Sequence, residues 1–150
     1  MISDSKQPTV ITGGISVDDR GTVSFHNSVE LQHWQRFYFV SNHELGFIRA
    51  WHGHKNEQKL AIPVTGTFLL SCVQIDDWEE PSQELKTQQF VLSSTSPKAL
   101  FIPHGFANGF KSLTENSTIM FLSSSSLEDS QSDDFRYVWN FWNPWESNFR

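Results

Sequence analysis

The stretch Gly46-Phe-Ile-Arg49-Ala-Trp51-His52-Gly-His54-Lys55-Asn-Glu57-Gln58-Lys59, continued by Leu60-Ala-Ile-Pro-Val-Thr65-Gly66-Thr-Phe-Leu-Leu-Ser-Cys72-Val-Gln-Ile75, decides how this chain is read. Apolar and β-branched runs broken by turn residues mark strands, and Thr65-Gly66 between two such runs predicts an antiparallel hairpin with Gly66 at positive φ. Side chains alternate along a strand, so His52 and His54 share one face. On that period Arg49 and Trp51 fall on the other face. Arg49 joins the histidines only if the strand bulges or twists before His52.

Working outward, the same pattern recurs at 22–25, 37–40, 47–51, 60–64, 67–75, 88–92, 100–103, 108–111 and 118–122, about nine strands at the spacing of a sandwich or barrel. Helical periodicity is thin, with at most a turn or two in VELQHWQRF, and neither heptads nor internal repeats occur. Residues 1–16, with Pro8 and Gly13-Gly14, read as a loosely held N-terminal arm; the ordered domain is expected from about Val17, giving one domain over 17–150. DDWEEPSQEL and SSSSLEDSQSDD read as exposed loops, the second of them mobile. The tail FRYVWNFWNPWESNFR is too aromatic for water and should pack on the barrel or on a partner subunit.

With 150 residues there is no room for a second domain, and 11 Lys and Arg against 17 Asp and Glu give a net charge of −6. That balance, without any basic run, argues against a nucleic-acid or anionic-membrane partner. No apolar run approaches the ~20 residues that span a bilayer. The first 30 residues lack a secretory pattern, and the single Cys72 reads as an inert core thiol, so a cytoplasmic location is expected. A homodimer is expected as well, because sheet edges need cover and the Trp-rich tail offers apolar surface.

The spacing from Gly46 through His52-Gly-His54 to Gly66 resembles the first motif of the cupin superfamily, and Pro103-His-Gly105-Phe-Ala-Asn108 resembles its second. The fold implied is all-β, a double-stranded β-helix or jelly roll. Where a metal-binding cupin places its glutamate stands Lys59, and where it places its third imidazole stands Asn108. A divalent metal wants three or four N, O or S ligands, so a metal-free, cofactor-free cup is expected. Imidazole beside Arg and Lys suits an anionic substrate bearing a carbonyl: the base removes an acidic proton and the cations stabilise the enolate.

More narrowly, the chain resembles the sugar-nucleotide cupins. Asp18-Asp-Arg20-Gly21 is similar to the Asp-Arg-Gly turn of the rhamnose-pathway 3,5-epimerases, which act on dTDP-4-keto-6-deoxyglucose. Arg49-Ala-Trp51-His52 is similar to their Arg-Gly-Leu-His, Lys59 falls on their active-site lysine, Ile102 to Phe110 is similar to their Ile-Pro-x-Gly-Phe-Ala-His-Gly-Phe, and Arg136 to Asn140 resembles their Ile-Arg-Trp-Asn-Asp. His52-Gly-His54-Lys55 also resembles the His-Ala-His-Lys of the 3,4-ketoisomerases acting on the same sugar. The resemblance implies His52 as base, His54 as second base or acid, Arg49 and Lys59 on the keto oxygen and diphosphate, and Asn108 on the sugar. Arg20, Trp51 (as a stacking surface for the nucleobase) and His104 are further candidate substrate contacts, although a turn, aromatic packing and an exposed turn respectively account for those three better. The epimerase acid tyrosine aligns with Phe121, and the carboxylate that partners the base falls in 138–141, leaving Asp133 or Asp134 as its substitute. The function implied is isomerisation of a nucleotide-linked 4-keto-6-deoxyhexose through an enolate; the alternatives are 3,4-ketoisomerisation and a catalytically inactive binder.

Overall fold

The computed structural model describes residues 1–146. Its strands are β1 (Thr9–Thr12), β2 (Gly14–Asp18), β3 (Gly21–Phe25), β4 (Arg36–Ser41), β5 (Ile48–His54), β6 (Lys59–Thr65), β7 (Thr67–Gln74), β8 (Thr87–Ser93), β9 (Lys98–Ile102), β10 (Phe106–Ser112), β11 (Thr118–Ser123) and β12 (Phe135–Arg136). They form two five-stranded sheets, ordered β1-β9-β6-β11-β4 and β12-β5-β10-β7-β8, and a separate β2-β3 hairpin. Every pairing is antiparallel, giving the sandwich that the alternating pattern predicted, in the jelly-roll form that the cupin resemblance implied.

The core between the sheets is built from inward positions of both: Ala61, Leu100, Ile102, Ile119 and Phe121 from one, Phe68, Leu70, Cys72, Leu92, Phe106 and Phe110 from the other. Cys72 is fully buried, and burial pushes its thiol pKa up. Gly66 adopts φ +81 at the β6–β7 turn, and a Cβ there would lie 2.0 Å from Ser117 Oγ. Both conformation and space therefore require glycine at this corner.

Two features differ from expectation, and a third selects between the two places expected for the tail. Sheet pairing starts at Thr9, ahead of Val17: the β-branched run after Pro8 adds β1 to the open edge of β9, with Thr9 opposite Phe101. The SSSSLEDSQSDD loop contains a short helix, Leu127–Gln131, because the Ser126 hydroxyl accepts from the Asp129 backbone N–H at its start. The aromatic tail packs on its own chain. Trp142 and Trp145 join Trp51, Leu69 and Val73 in a second apolar cluster on the outer side of the β5-β10-β7 sheet, which removes these two tryptophans from any twofold interface. Part of the tail expectation concerns 147–150, outside the described residues.

Candidate active site

The tension over Arg49 resolves in a β-bulge. Asn108 of β10 pairs with His52 and Phe110 with Arg49, so the single residue Gly109 faces both Ala50 and Trp51. A Cβ at Gly109 would meet Ala50 Cβ at 2.5 Å and Trp145 at 2.9 Å, so only glycine lets the bulge and the tail close over it. The extra residue shifts the alternation by one step. Arg49 and His52 then both face inward, while Trp51 turns outward, its indole N–H donating to the carbonyls of Trp139 (3.0 Å) and Trp142 (3.1 Å).

The inward groups line a cavity of about 110 Å³ between the two sheets. One wall carries Arg49, His52, Asn108 and Phe110 from β5 and β10; the facing wall carries Tyr38, Val40, Lys59 and Phe121 from β4, β6 and β11. Asn108 Nδ2 donates to the His52 carbonyl at 3.3 Å. Arg49 stands exposed at the rim, its Nε donating to Asn42 Oδ1 at 2.6 Å. Lys59 is buried, its Nζ 5.7 Å from the centre of the Phe121 ring and 3.7 Å from Glu57 Oε2.

Burial, reinforced by the Lys59 and Arg136 cations, pushes the His52 pKa down to about 4. The imidazole is therefore an unprotonated base at neutral pH. An NMR titration is expected to place its midpoint near that value, and to move it upward in Lys59→Gln, where one repelling cation is gone. The unfolded imidazole takes its proton near 6.5 and the folded one only near 4, so the stability this group confers is complete above 6.5 and drains away as the pH falls through 4.

His54 occupies different surroundings. It does not line the cavity; Nδ1 donates to the Asp133 carbonyl at 2.6 Å, and Nε2 lies 3.1 Å from Glu57 Oε2 without the alignment of a hydrogen bond. Burial and Lys59 lower its pKa against the attraction of Glu57. The orienting carboxylate expected at Asp133 or Asp134 is placed otherwise. Asp133 accepts the backbone N–H groups of Lys55 (2.7 Å), Asn56 (2.9 Å) and Glu57 (2.9 Å), and Asp134 pairs with Arg136 at 3.0 Å. By clamping the β5–β6 loop, Asp133 aims Glu57 inward. The Glu57 carboxylate receives Ser123 Oγ (2.7 Å) and Arg36 Nη2 (3.2 Å) beside His54 and Lys59. Burial raises its pKa, yet Lys59, His54 and Ser123 outweigh that and hold it below the ordinary value.

Of the residues singled out from sequence, Arg49, His52, Lys59 and Asn108 meet in the cavity. Trp51 is buried in the outer cluster, His104 is exposed in its turn, and Arg20 sits at the exposed end of the β2-β3 hairpin, paired with Asp18 at 2.6 Å. Two residues of the site escaped sequence reading. Tyr38 was legible from the in-out alternation Arg36-Phe-Tyr38-Phe-Val40; Glu57 carried no signal beyond its place three residues after His54. Among the described residues, no group of three or more His, Cys, Asp or Glu is placed to hold a metal ion, and no helix is long and apolar enough to cross a membrane.

The sequence profile of the dTDP-4-dehydrorhamnose 3,5-epimerases matches residues 9–140. The spore coat polysaccharide biosynthesis protein SpsL of Bacillus subtilis (strain 168) is 29% identical over 96 residues; the match takes in 63% of this chain and 62% of that protein, just under two thirds of its length. Among solved structures, dTDP-4-dehydrorhamnose 3,5-epimerase from Bacillus anthracis str. Ames, with TDP and PPi bound, has a TM-score of 0.76 at 21% identity, covering 95% of this chain and 86% of that one. The QdtA sugar 3,4-ketoisomerase from Thermoanaerobacterium thermosaccharolyticum, in complex with TDP, has a TM-score of 0.68 at 17% identity, covering 91% and 92%. ChmJ, a 3'-monoepimerase from Streptomyces bikiniensis in complex with dTDP-quinovose, has a TM-score of 0.76 at 16% identity, covering 98% and 79%.

Proposed function

This chain belongs to the dTDP-4-dehydrorhamnose 3,5-epimerase family, and from that premise we propose that it isomerises a nucleotide-linked 4-keto-6-deoxyhexose by proton transfer through an enolate. The observation that carries this reading is a neutral imidazole, His52, lining one cavity with the buried cation of Lys59 and with Arg49 at its rim. A hydrogen next to a keto group is acidic because its electron pair delocalises onto the carbonyl oxygen. His52 takes that proton while Lys59 and Arg49 stabilise the charge that develops on the oxygen. Asn108 contacts the sugar. A cavity of about 110 Å³ falls below the range of ~300–1,000 Å³ usual for whole-ligand pockets. It takes the reacting edge of the hexose and leaves the nucleotide diphosphate at the rim, where Arg49 stands.

Incubating the chain with dTDP-4-keto-6-deoxyglucose in heavy water tests this directly. Epimerisation replaces carbon-bound hydrogen by deuterium and inverts configuration. Migration of the keto group from C4 to C3 marks the ketoisomerase reading suggested by His52-Gly-His54-Lys55, and a substrate of unchanged mass marks a passive binder and retires the isomerase reading.

The chain acts in this reading as a homodimer in the cytoplasm. Among the described residues the strands of the β2-β3 hairpin pair only with each other, and they expose Ile15, Val17 (71%) and Val23 (62%), apolar surface that a second copy would cover. It also carries Arg20, which reaches a diphosphate only in a neighbouring subunit's site. Sedimentation of the wild type as a dimer and of Val17→Asp/Val23→Asp as a monomer is expected; a monomeric wild type ends this part of the reading.

A further inference from the structure

We propose that the aromatic tail is a clamp on β5 in which Trp51 is a positioning residue: gripped on the outer face of the sheet, it fixes the bulge that keeps Arg49 beside His52 and available to a diphosphate. This rests on the sugar-nucleotide reading above for the identity of the ligand and deepens it.

Arg49 and His52 are three positions apart, an odd number, so on an unbroken strand they face opposite ways. They line one cavity because Ala50 and Trp51 both turn to the outer cluster, opposite the single residue Gly109. A ladder with one extra residue competes with the ladder without it, so the side that the extra residue takes has to be held.

The tail holds it from the edge and from the outer face. At the edge, the Trp51 N–H donates to the Tyr137 carbonyl at 3.0 Å and the Tyr137 N–H to the Trp51 carbonyl at 3.1 Å, next to the β12 pairing of Arg136 with His52. On the outer face, the Trp51 indole N–H is shared by the Trp139 and Trp142 carbonyls, and its ring lies 5.5 Å from that of Trp142 and 5.2 Å from that of Trp145. Turning Trp51 inward would strand a buried donor and uncover two tryptophans. The tail is itself anchored. Trp145 Nε1 donates to the Trp139 carbonyl (3.1 Å), Trp142 Nε1 to the Ser82 carbonyl (2.9 Å) and Lys111 Nζ to the Trp145 carbonyl (2.7 Å).

The grip is uneven along β5. His52 is paired on both edges, with Asn108 and with Arg136, whereas among the described residues Arg49 is paired with Phe110 alone. The Arg49 side chain is exposed and makes one hydrogen bond among the described residues, to Asn42. When the clamp loosens, Arg49 is therefore the member of the pair that gives way.

The test is a double-mutant cycle of Trp51 and Arg49 read by calorimetric binding of dTDP. Trp51→Phe keeps a ring in the cluster and deletes the donor. It is expected to weaken dTDP binding by about 10-fold, and Arg49→Ala by about 10–100-fold, the range of a hydrogen bond to a charged group. In the Arg49→Ala background Trp51→Phe is expected to add less than about 2-fold, because the residue through which it acts is gone. Beside Lys59→Gln, on the opposite sheet, it keeps its full effect. Trp145→Leu withdraws one ring from the bulge without altering β5, and stands in for Trp51→Phe in the same cycle if that variant does not fold. Wild-type dTDP affinity in folded Trp51→Phe overturns the proposal. So does a loss of the same size with and without Arg49, which makes the tail a support of the fold alone, and so does undiminished binding by Arg49→Ala. A wild type that binds dTDP but takes up no deuterium from heavy water with dTDP-4-keto-6-deoxyglucose retires the isomerase reading and leaves the clamp standing; one that does not bind dTDP brings down both.

Discussion

His52→Ala is expected to lower deuterium uptake and product formation together by about 10²–10⁴-fold, the contribution typical of a positioned general base, while leaving nucleotide affinity largely intact. The imidazole is the one cavity group that is both neutral at working pH and able to accept a proton: Lys59 and Arg49 are cations, Asn108 and the Tyr38 phenol have no useful basicity, and Phe110, Phe121 and Val40 are hydrocarbon. A group acting only on the proton in flight affects kcat and kcat/KM alike and spares ground-state binding. Its removal also leaves the fold alone, because no hydrogen bond among the described residues uses the imidazole ring; Asn108 holds the His52 backbone carbonyl, which alanine retains. A variant turning over at the wild-type rate would falsify the mechanism, whatever product is made.

The largest effect on stability is expected at Glu57. Its side chain is wholly buried and compensates Arg36 and Lys59 while accepting from Ser123. Glu57→Gln keeps the volume and removes the charge, leaving two partly buried cations facing each other across a neutral amide. Breaking a buried pair by deleting one partner costs about 3–5 kcal/mol, and in a domain of this size each kcal/mol moves Tm by roughly 2–4 °C. Thermal unfolding is thus expected to fall by roughly 10 °C at pH 7. The sign with pH follows from a folded pKa held below the ordinary value: the stabilisation from Glu57 is present above the unfolded pKa and lost as the pH falls through the folded one. The gap between wild type and variant should therefore close in acid. Asp18→Asn, which removes an exposed partner of Arg20, serves as the contrast and should leave Tm unchanged. Equal Tm values for Glu57→Gln and wild type at pH 7 would show that the cluster contributes nothing net.

Most of the fold and half of the site could be read in advance, for reasons that differ residue by residue. Nine stretches announced themselves by apolar alternation. Those that did not were the polar hairpin partner β2, the short β1, and the two-residue β12, whose existence depends on a place to pair with β5. Lys59, Asn108 and His52 face inward on plain strand periodicity. Trp51, expected as a substrate contact, is instead covered by Trp142 and Trp145, residues some ninety positions away that no local pattern connects to it.

What the amino-acid order determined by itself is local: a two-residue period that sets which side chains share a face, a glycine at φ +81 that turns the chain between β6 and β7, and an apolar pattern that makes two layers the stable way to exclude water. What only the tertiary structure decided is the composition of the cavity. One extra residue opposite Gly109 brings Arg49 beside His52, the Asp133 carboxylate aims Glu57 at His54, and the pairing of β4 with β11 sets Tyr38 across from the base. Each depends on a register between segments far apart in the chain. A slip of one position in a period of two reverses every facing, so no reading confined to a single strand contains it.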